Sequence, residues 1–136
     1  MKMVNMNTAD LTGPQLDWAV AKAEGFRMTP PKQGGAANYE IVLTSNGGKP
    51  FYQCAVLYGR RLQCQYSPSS DWISGGPIIE RENIWLSAPS MSRTEWSAAV
   101  EASTESHPGP TPLVAAMRAF VASKLGDEVE VPEVPI

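Results

Sequence analysis

Two stretches of the chain are punctuated as helices at both ends, and they lie near opposite ends of the sequence. In residues 12–25, Thr-Gly-Pro-Gln-Leu-Asp-Trp-Ala-Val-Ala-Lys-Ala-Glu-Gly, Thr12 is placed to cap free amides. Pro14 suits the first turn and Gly25 a left-handed stop. At about 100° per residue, Leu16, Ala19, Val20 and Ala23 share one apolar face, and Trp18 falls on the far side beside Lys22. A tryptophan so placed needs another cover, whether a loop, a partner chain or a ligand. Residues 111–126 repeat the scheme with Thr111, Pro112 and Gly126. There Leu113, Met117, Phe120 and Val121 form the core face. Ala115, Ala119 and Ala122 lie opposite and are small enough for a second backbone to approach, so this helix is predicted to be covered on two sides. Arg118 is the only charge in its central turns.

Between the helices the pattern shortens to strands. Tyr39 to Thr44 is rich in β-formers and precedes the turn signal Ser45-Asn46-Gly47-Gly48. Phe51 to Tyr58 and Arg61 to Tyr66 read as a hairpin folded at Gly59. Ile78 to Leu86 and Thr94 to Val100 are weaker strand candidates, and Ser103 to Pro110 reads as a loop. Twelve prolines and eleven glycines in 136 residues argue against a simple helical bundle, and the length suits one core. The expectation is an α+β fold: a small antiparallel sheet packed with two principal helices in a loop-rich single domain over residues 1–126. Residues 127–136 are expected to form an acidic C-terminal tail, with Asp127, Glu128, Glu130 and Glu133 and no base.

Without those four acids the body of a chain of net charge −3 is close to neutral. No basic stripe runs through it, which argues against duplex nucleic acid as a partner. The first seven residues lack the apolar run of a secretion signal, and no stretch reaches the ~20 apolar residues of a membrane span. A cytoplasmic protein without a membrane partner is expected, its Cys54 and Cys64 kept reduced. Two cysteines and one histidine are too few for a zinc site, and no cofactor is expected.

The segment richest in candidate chemistry is 66–82, Tyr-Ser-Pro-Ser-Ser-Asp-Trp-Ile-Ser-Gly-Gly-Pro-Ile-Ile-Glu-Arg-Glu. Tyr66 and Trp72 offer flat apolar faces with one polar handle each. Gly75 and Gly76 permit unusual dihedrals or a close approach, and the Ser69-Ser70-Asp71 turn can bond nearby amides. Read as a loop leading into a strand, this places Glu80 and Glu82 on one side. Such a set suits a planar ring with hydroxyls, as in a nucleotide; the alternative is a packed structural loop with Asp71 as its cap. The start of the second helix at Thr111 offers free amides and a hydroxyl to an anion, with Arg118 two turns on. His107, in the preceding His-Pro-Gly-Pro loop, is either an exposed loop residue or a ligand contact. Asp71 with Glu80 or Glu82 is the only pairing that suggests hydrolysis.

Three blocks carry a resemblance. Leu-Asp-Trp-Ala-Val-Ala-Lys-Ala-Glu-Gly at 16–25 is similar to the opening helix of the NinX-like proteins of tailed bacteriophages. So is Tyr-Ser-Pro-Ser-Ser-Asp-Trp at 66–72 with Gly-Gly-Pro-Ile-Ile-Glu-Arg-Glu at 75–82. The third is Gly-Pro-Thr-Pro-Leu-Val-Ala-Ala-Met-Arg at 109–118, with Val-Ala-Ser-Lys-Leu-Gly-Asp-Glu-Val-Glu-Val-Pro after it. The resemblance implies a small phage accessory protein made in the host bacterial cytoplasm, and it brings no assigned catalytic residues. Trp18, Asp71, Trp72, the glycine pair, Thr111 and Arg118 all fall within its blocks. The leading expectation is a non-enzymatic binder of a small polar, nucleotide-like ligand, used to sequester a host antiviral signalling nucleotide. An interaction module built on Trp18 and the alanine strip, and a carboxylate hydrolase, are the alternatives. A homo-oligomer is compatible with each.

Overall fold

The structure is a computed structural model that describes residues 3–29, 38–44, 50–57, 67–101, 103 and 105–133. Both punctuated helices are present. The first, α1 (Gly13–Ala23), has Pro14 in its first turn. It closes where Gly25, at φ +82°, lets its own N–H reach Lys22 O and the Phe26 N–H reach Ala21 O, both at 3.0 Å. Thr12 has the extended backbone of a cap, but its side chain makes no cap bond, contrary to expectation. At the other end of the chain, α3 (Pro112–Leu125) begins as expected: the Thr111 hydroxyl accepts from Val114 N–H at 3.1 Å.

Between them lies a third helix, α2 (Trp72–Arg81), where the sequence suggested a loop and a strand. Gly75 and Gly76 do not adopt left-handed dihedrals, and Pro77 sits inside the helix. Its missing N–H would have served Ile73 O, and Ile73 is 85% exposed, so water can satisfy that carbonyl. Asn83 at φ 52° then turns the chain out of the helix.

The strands form three antiparallel sheets among the described residues. β1 (Met3–Asn7) pairs with β8 (Glu128–Pro132), with Val4 opposite Val131 and Met6 opposite Val129. β2 (Arg27–Thr29), β3 (Asn38–Thr44) and β4 (Pro50–Leu57) form the second sheet, with a register shift between Ile41 and Val42. β5 (Ile84–Ser87), β6 (Trp96–Val100) and β7 (His107–Gly109) form the third. The segment expected as an acidic tail therefore supplies a strand. Its alternation explains why: Glu128 and Glu130 point to water while Val129 and Val131 are buried. The 103–110 loop likewise contains β7. The first arm of the expected hairpin, which carries Cys54, is β4, and its second arm, Arg61 to Tyr66 with Cys64, lies outside the described residues.

α3 is the centre of the molecule. It packs on β5, β6 and β7 along one side and on α1 and α2 along another. Leu113 to Val121 are all buried, as expected of a helix covered twice. Its alanine side is used within the chain: Ala115 lies so close to Gly109 that a Cβ at that glycine would stand 2.5 Å from Ala115 N. Phe120, Met117, Leu16, Val20 and Leu11 fill the centre, each contributing about 1.5–3 kcal/mol by leaving water. Thr8, in a turn of 3-10 helix at Thr8–Asp10, fastens the first sheet to the end of α3. Its hydroxyl donates to Gly126 O and its N–H to Asp127 O, both at 2.7 Å.

Candidate functional site

Residues 67–71 make a tight turn in which Ser70 N–H and Asp71 N–H donate to Ser67 O at 3.0 and 2.8 Å. Asp71 then caps α2, its Oδ1 accepting from Ile73 N–H at 3.0 Å. Trp72 thus stands at the first helical position with 53% of its surface exposed. Facing it is the first turn of α3. Between the two runs a cleft of about 390 Å³, lined by Gly13, Ser69, Ser70, Trp72 and the 112–114 turn with its cap Thr111. Gly75 lets the walls sit this close, because a Cβ there would stand 2.5 Å from Pro68 O and 2.7 Å from Leu113 Cδ2.

Three helix starts meet at this cleft: Gly13 opens α1, Trp72 opens α2 and Thr111 caps α3. At their other ends the same helices are tied by ion pairs. Arg81 Nη1 donates to Glu24 Oε2 at 3.2 Å, with a second bond from Nη2 to Oε1, and Arg81 Nε donates to Glu82 Oε2 at 2.9 Å. Lys124 Nζ reaches Glu82 Oε1 at 3.3 Å. The helices therefore run side by side in one direction. Each has a base in its last turn (Lys22, Arg81 or Lys124), and none has an acid in its first turn. Their positive ends accumulate at the cleft, offset in part by the Asp71 cap. Thr111 keeps a hydroxyl proton to donate, and Ser70 is exposed at the rim. The chemistry offered is an apolar slot with an exposed indole, hydroxyls and positive helix ends.

Behind the wall lies a residue that the sequence reading passed over. Asp17 on α1 is 3% exposed, and its Oδ1 accepts from Ser69 N–H at 2.8 Å. Burial pushes its carboxyl up to about 6, against the opposing pull of the bonds from Ser69. The faint signal was its place on the wheel between Gly13 and Ala21, residues small enough to let the turn approach.

A raised acid is held more tightly by the folded chain, so its stabilising contribution is complete below the ordinary value of 3.8. That contribution is lost as pH rises through about 6. The stability of the native chain minus that of Asp17→Asn should therefore fall by roughly 2–3 kcal/mol from about pH 4 to about pH 7, read by urea unfolding. A constant difference would contradict a buried carboxyl.

Of the residues singled out from sequence, Trp72 and Thr111 line the cleft, Gly75 packs beneath it, and Asp71 and Gly76 adjoin it on α2. Arg118 is outside the lining. It is 7% exposed, with Nε donating to Leu11 O at 3.0 Å and Nη1 to Pro108 O at 2.8 Å. Burial lowers its proton affinity, while Glu95 and Asp10 act against that effect. Trp18 is buried in the core with Lys22 Nζ 5.4 Å from its ring centre. His107 is half-buried on β7 opposite Ala98, and Glu80 is exposed near the far end of α2. Tyr66 lies outside the described residues. Asp71 lies at the opposite end of α2 from Glu80 and Glu82, separated from them by a helical rise of about 14 Å and about 16 Å, so they form no hydrolytic pair.

A family model described as Bacteriophage P22, NinX matches residues 7–124. The chain belongs to the NinX family. The matched region contains all three helix starts and the whole cleft lining, while β8 lies beyond it. No curated protein matches the chain. Among the described residues, no helix of this NinX-family protein is long and apolar enough to cross a membrane.

Proposed function

We propose that the cleft binds a small ligand with a flat ring and an anionic or hydroxyl-bearing group, of nucleotide type, and holds it unchanged. What supports this reading most is the meeting of three helix starts, none with an acid in its first turn, beside a half-exposed tryptophan. The ring would lie on Trp72, and the anionic end would face the first turns of α1 and α3. In a phage accessory protein acting in the host cytoplasm, such a site would serve to sequester a signalling nucleotide, including one made by antiviral defence. A second reading, a protein-interaction module, draws on Trp85, which is 71% exposed on β5 opposite Ala99.

The deciding experiment is to mix the protein with extract from defence-activated cells, wash it, release small molecules by heat and identify them by mass spectrometry. An intact nucleotide supports sequestration, and a converted one supports catalysis. A co-purifying protein without any small molecule favours the interaction module. Trp72→Ala should weaken nucleotide binding by roughly 5- to 150-fold, the range for loss of one stacking ring. Because the indole is half in water, the thermal midpoint of the ligand-free protein should barely move. A large drop in that midpoint would make Trp72 a packing residue.

A further inference from the structure

The Asp17–Ser69 bond joins positions 52 residues apart and is buried at both ends. Ser67 and Pro68 are buried beside it, so the turn has little freedom on that side. Its other side is fixed by the contact of Gly75 with Pro68 O and Leu113. Two positions past Ser69 the chain becomes the cap of α2, and the next residue is Trp72. Among the described residues, the hydrogen bond that ties this wall of the cleft (Ser69, Ser70 and Trp72) to α1 is the one accepted by the Asp17 carboxylate. Asp17 itself contributes nothing to the lining.

A buried carboxylate is a costly way to hold a turn that an apolar contact could also hold, but it fixes direction as well as distance. We infer that Asp17 is a positioning residue of the cleft: its bond to Ser69 sets where the Ser69–Trp72 wall stands against the first turn of α3. This deepens the reading of the cleft as a ligand site and rests on it for its functional consequence. The ionisable residues on elements packed against α1 are Arg118 and Lys124 on α3, Glu128 and Glu130 on β8, Arg27 on β2, and Tyr52 and Cys54 on β4. Asp71 closes the turn. Burial and the bonds from Ser69 set the proton affinity of Asp17.

The test combines amide and indole NMR of the full chain with binding of adenosine 5′-monophosphate as probe, in native protein, Asp17→Asn and Asp17→Ala. In native protein the Ser69 amide should titrate with a midpoint of about 6, and in Asp17→Asn this titration should vanish. Asparagine keeps the acceptor, so its Ser69 and Trp72 resonances and its probe affinity should stay within about threefold of native. Alanine should shift both resonances and weaken the probe by about tenfold or more at full folding, the loss expected for one charge-assisted bond. Unmoved wall resonances, or undiminished probe affinity in folded Asp17→Ala, would overturn the inference. Should the alanine variant not fold, a Ser69 amide that fails to titrate in native protein would overturn it equally. A native protein that titrates as expected yet takes up no probe would sink the nucleotide reading and leave the positioning role standing.

Discussion

Gly109→Val is expected to cost more than about 4 kcal/mol and leave little folded protein at room temperature, with Gly109→Ala at about 3 kcal/mol. The reason is the kind of atom in the way. A Cβ on residue 109 would stand 2.5 Å from Ala115 N, 2.8 Å from Ala115 Cα and 3.1 Å from its Cβ. The first two belong to helix backbone, which has no rotamer to change. Nor can α3 withdraw, because α1 and α2 pack along its other sides. Overpacking a core with one methyl group typically costs about 1–3 kcal/mol when side chains can shift, and here the helix itself must move. Urea unfolding of the alanine variant, with circular dichroism of whatever valine variant is soluble, measures the effect. A native midpoint for Gly109→Ala would mean β7 and α3 are not in contact at this point.

Arg118→Met should cost about 4 kcal/mol although it preserves most of the side-chain volume. The guanidinium fork holds two carbonyls that belong to different parts of the chain, Leu11 O before α1 and Pro108 O in β7. Methionine strands both acceptors, at about 1–3 kcal/mol each, with part of the penalty set by how much water can enter. Leu11 is fully buried and has little access to water. Arg118→Lys should recover about half of the loss, since one ammonium cannot span two carbonyls held in fork geometry. Chemical unfolding at neutral pH reads both. A methionine variant within about 0.5 kcal/mol of native would show the carbonyls to be satisfied elsewhere.

Arg118 also shows why a residue can be found from sequence and yet not be understood from it. A lone charge in an apolar helix stands out by composition, but whether it faces a ligand or ties carbonyls depends on a loop 107 residues away. Both terminal helices and the α+β class were legible because capping residues and apolar spacing are local signals. The same local signals misled at 72–81, where Gly-Gly-Pro resembles a turn. There the need for a glycine under Pro68 and Leu113, with Ile78 in the core, outweighs the poor propensity. In 127–136 the acids dominate the composition, yet the alternating Val129 and Val131 are buried and make Glu128–Pro132 a strand.

Of the 66–82 stretch, Ser69, Ser70 and Trp72 stand by the start of α3 as its sequence suggests, whereas the arrival of the α1 start and of Asp17 has no such signal. Their approach depends on the direction of three helices, which no single segment encodes. Trp18, Ala115 and Ala119 were legible as surfaces needing cover, and the chain covers them itself, which takes away the surface on which the interaction reading first rested.

The pairing of β1 with β8 has a consequence for how the chain is made. On a ribosome β1 emerges before β8 and must wait for its partner, which is synthesised more than a hundred residues later. Until then Val4 and Met6 lack the valines opposite them, and the nascent protein keeps an open seam that waits for β8 to shut it.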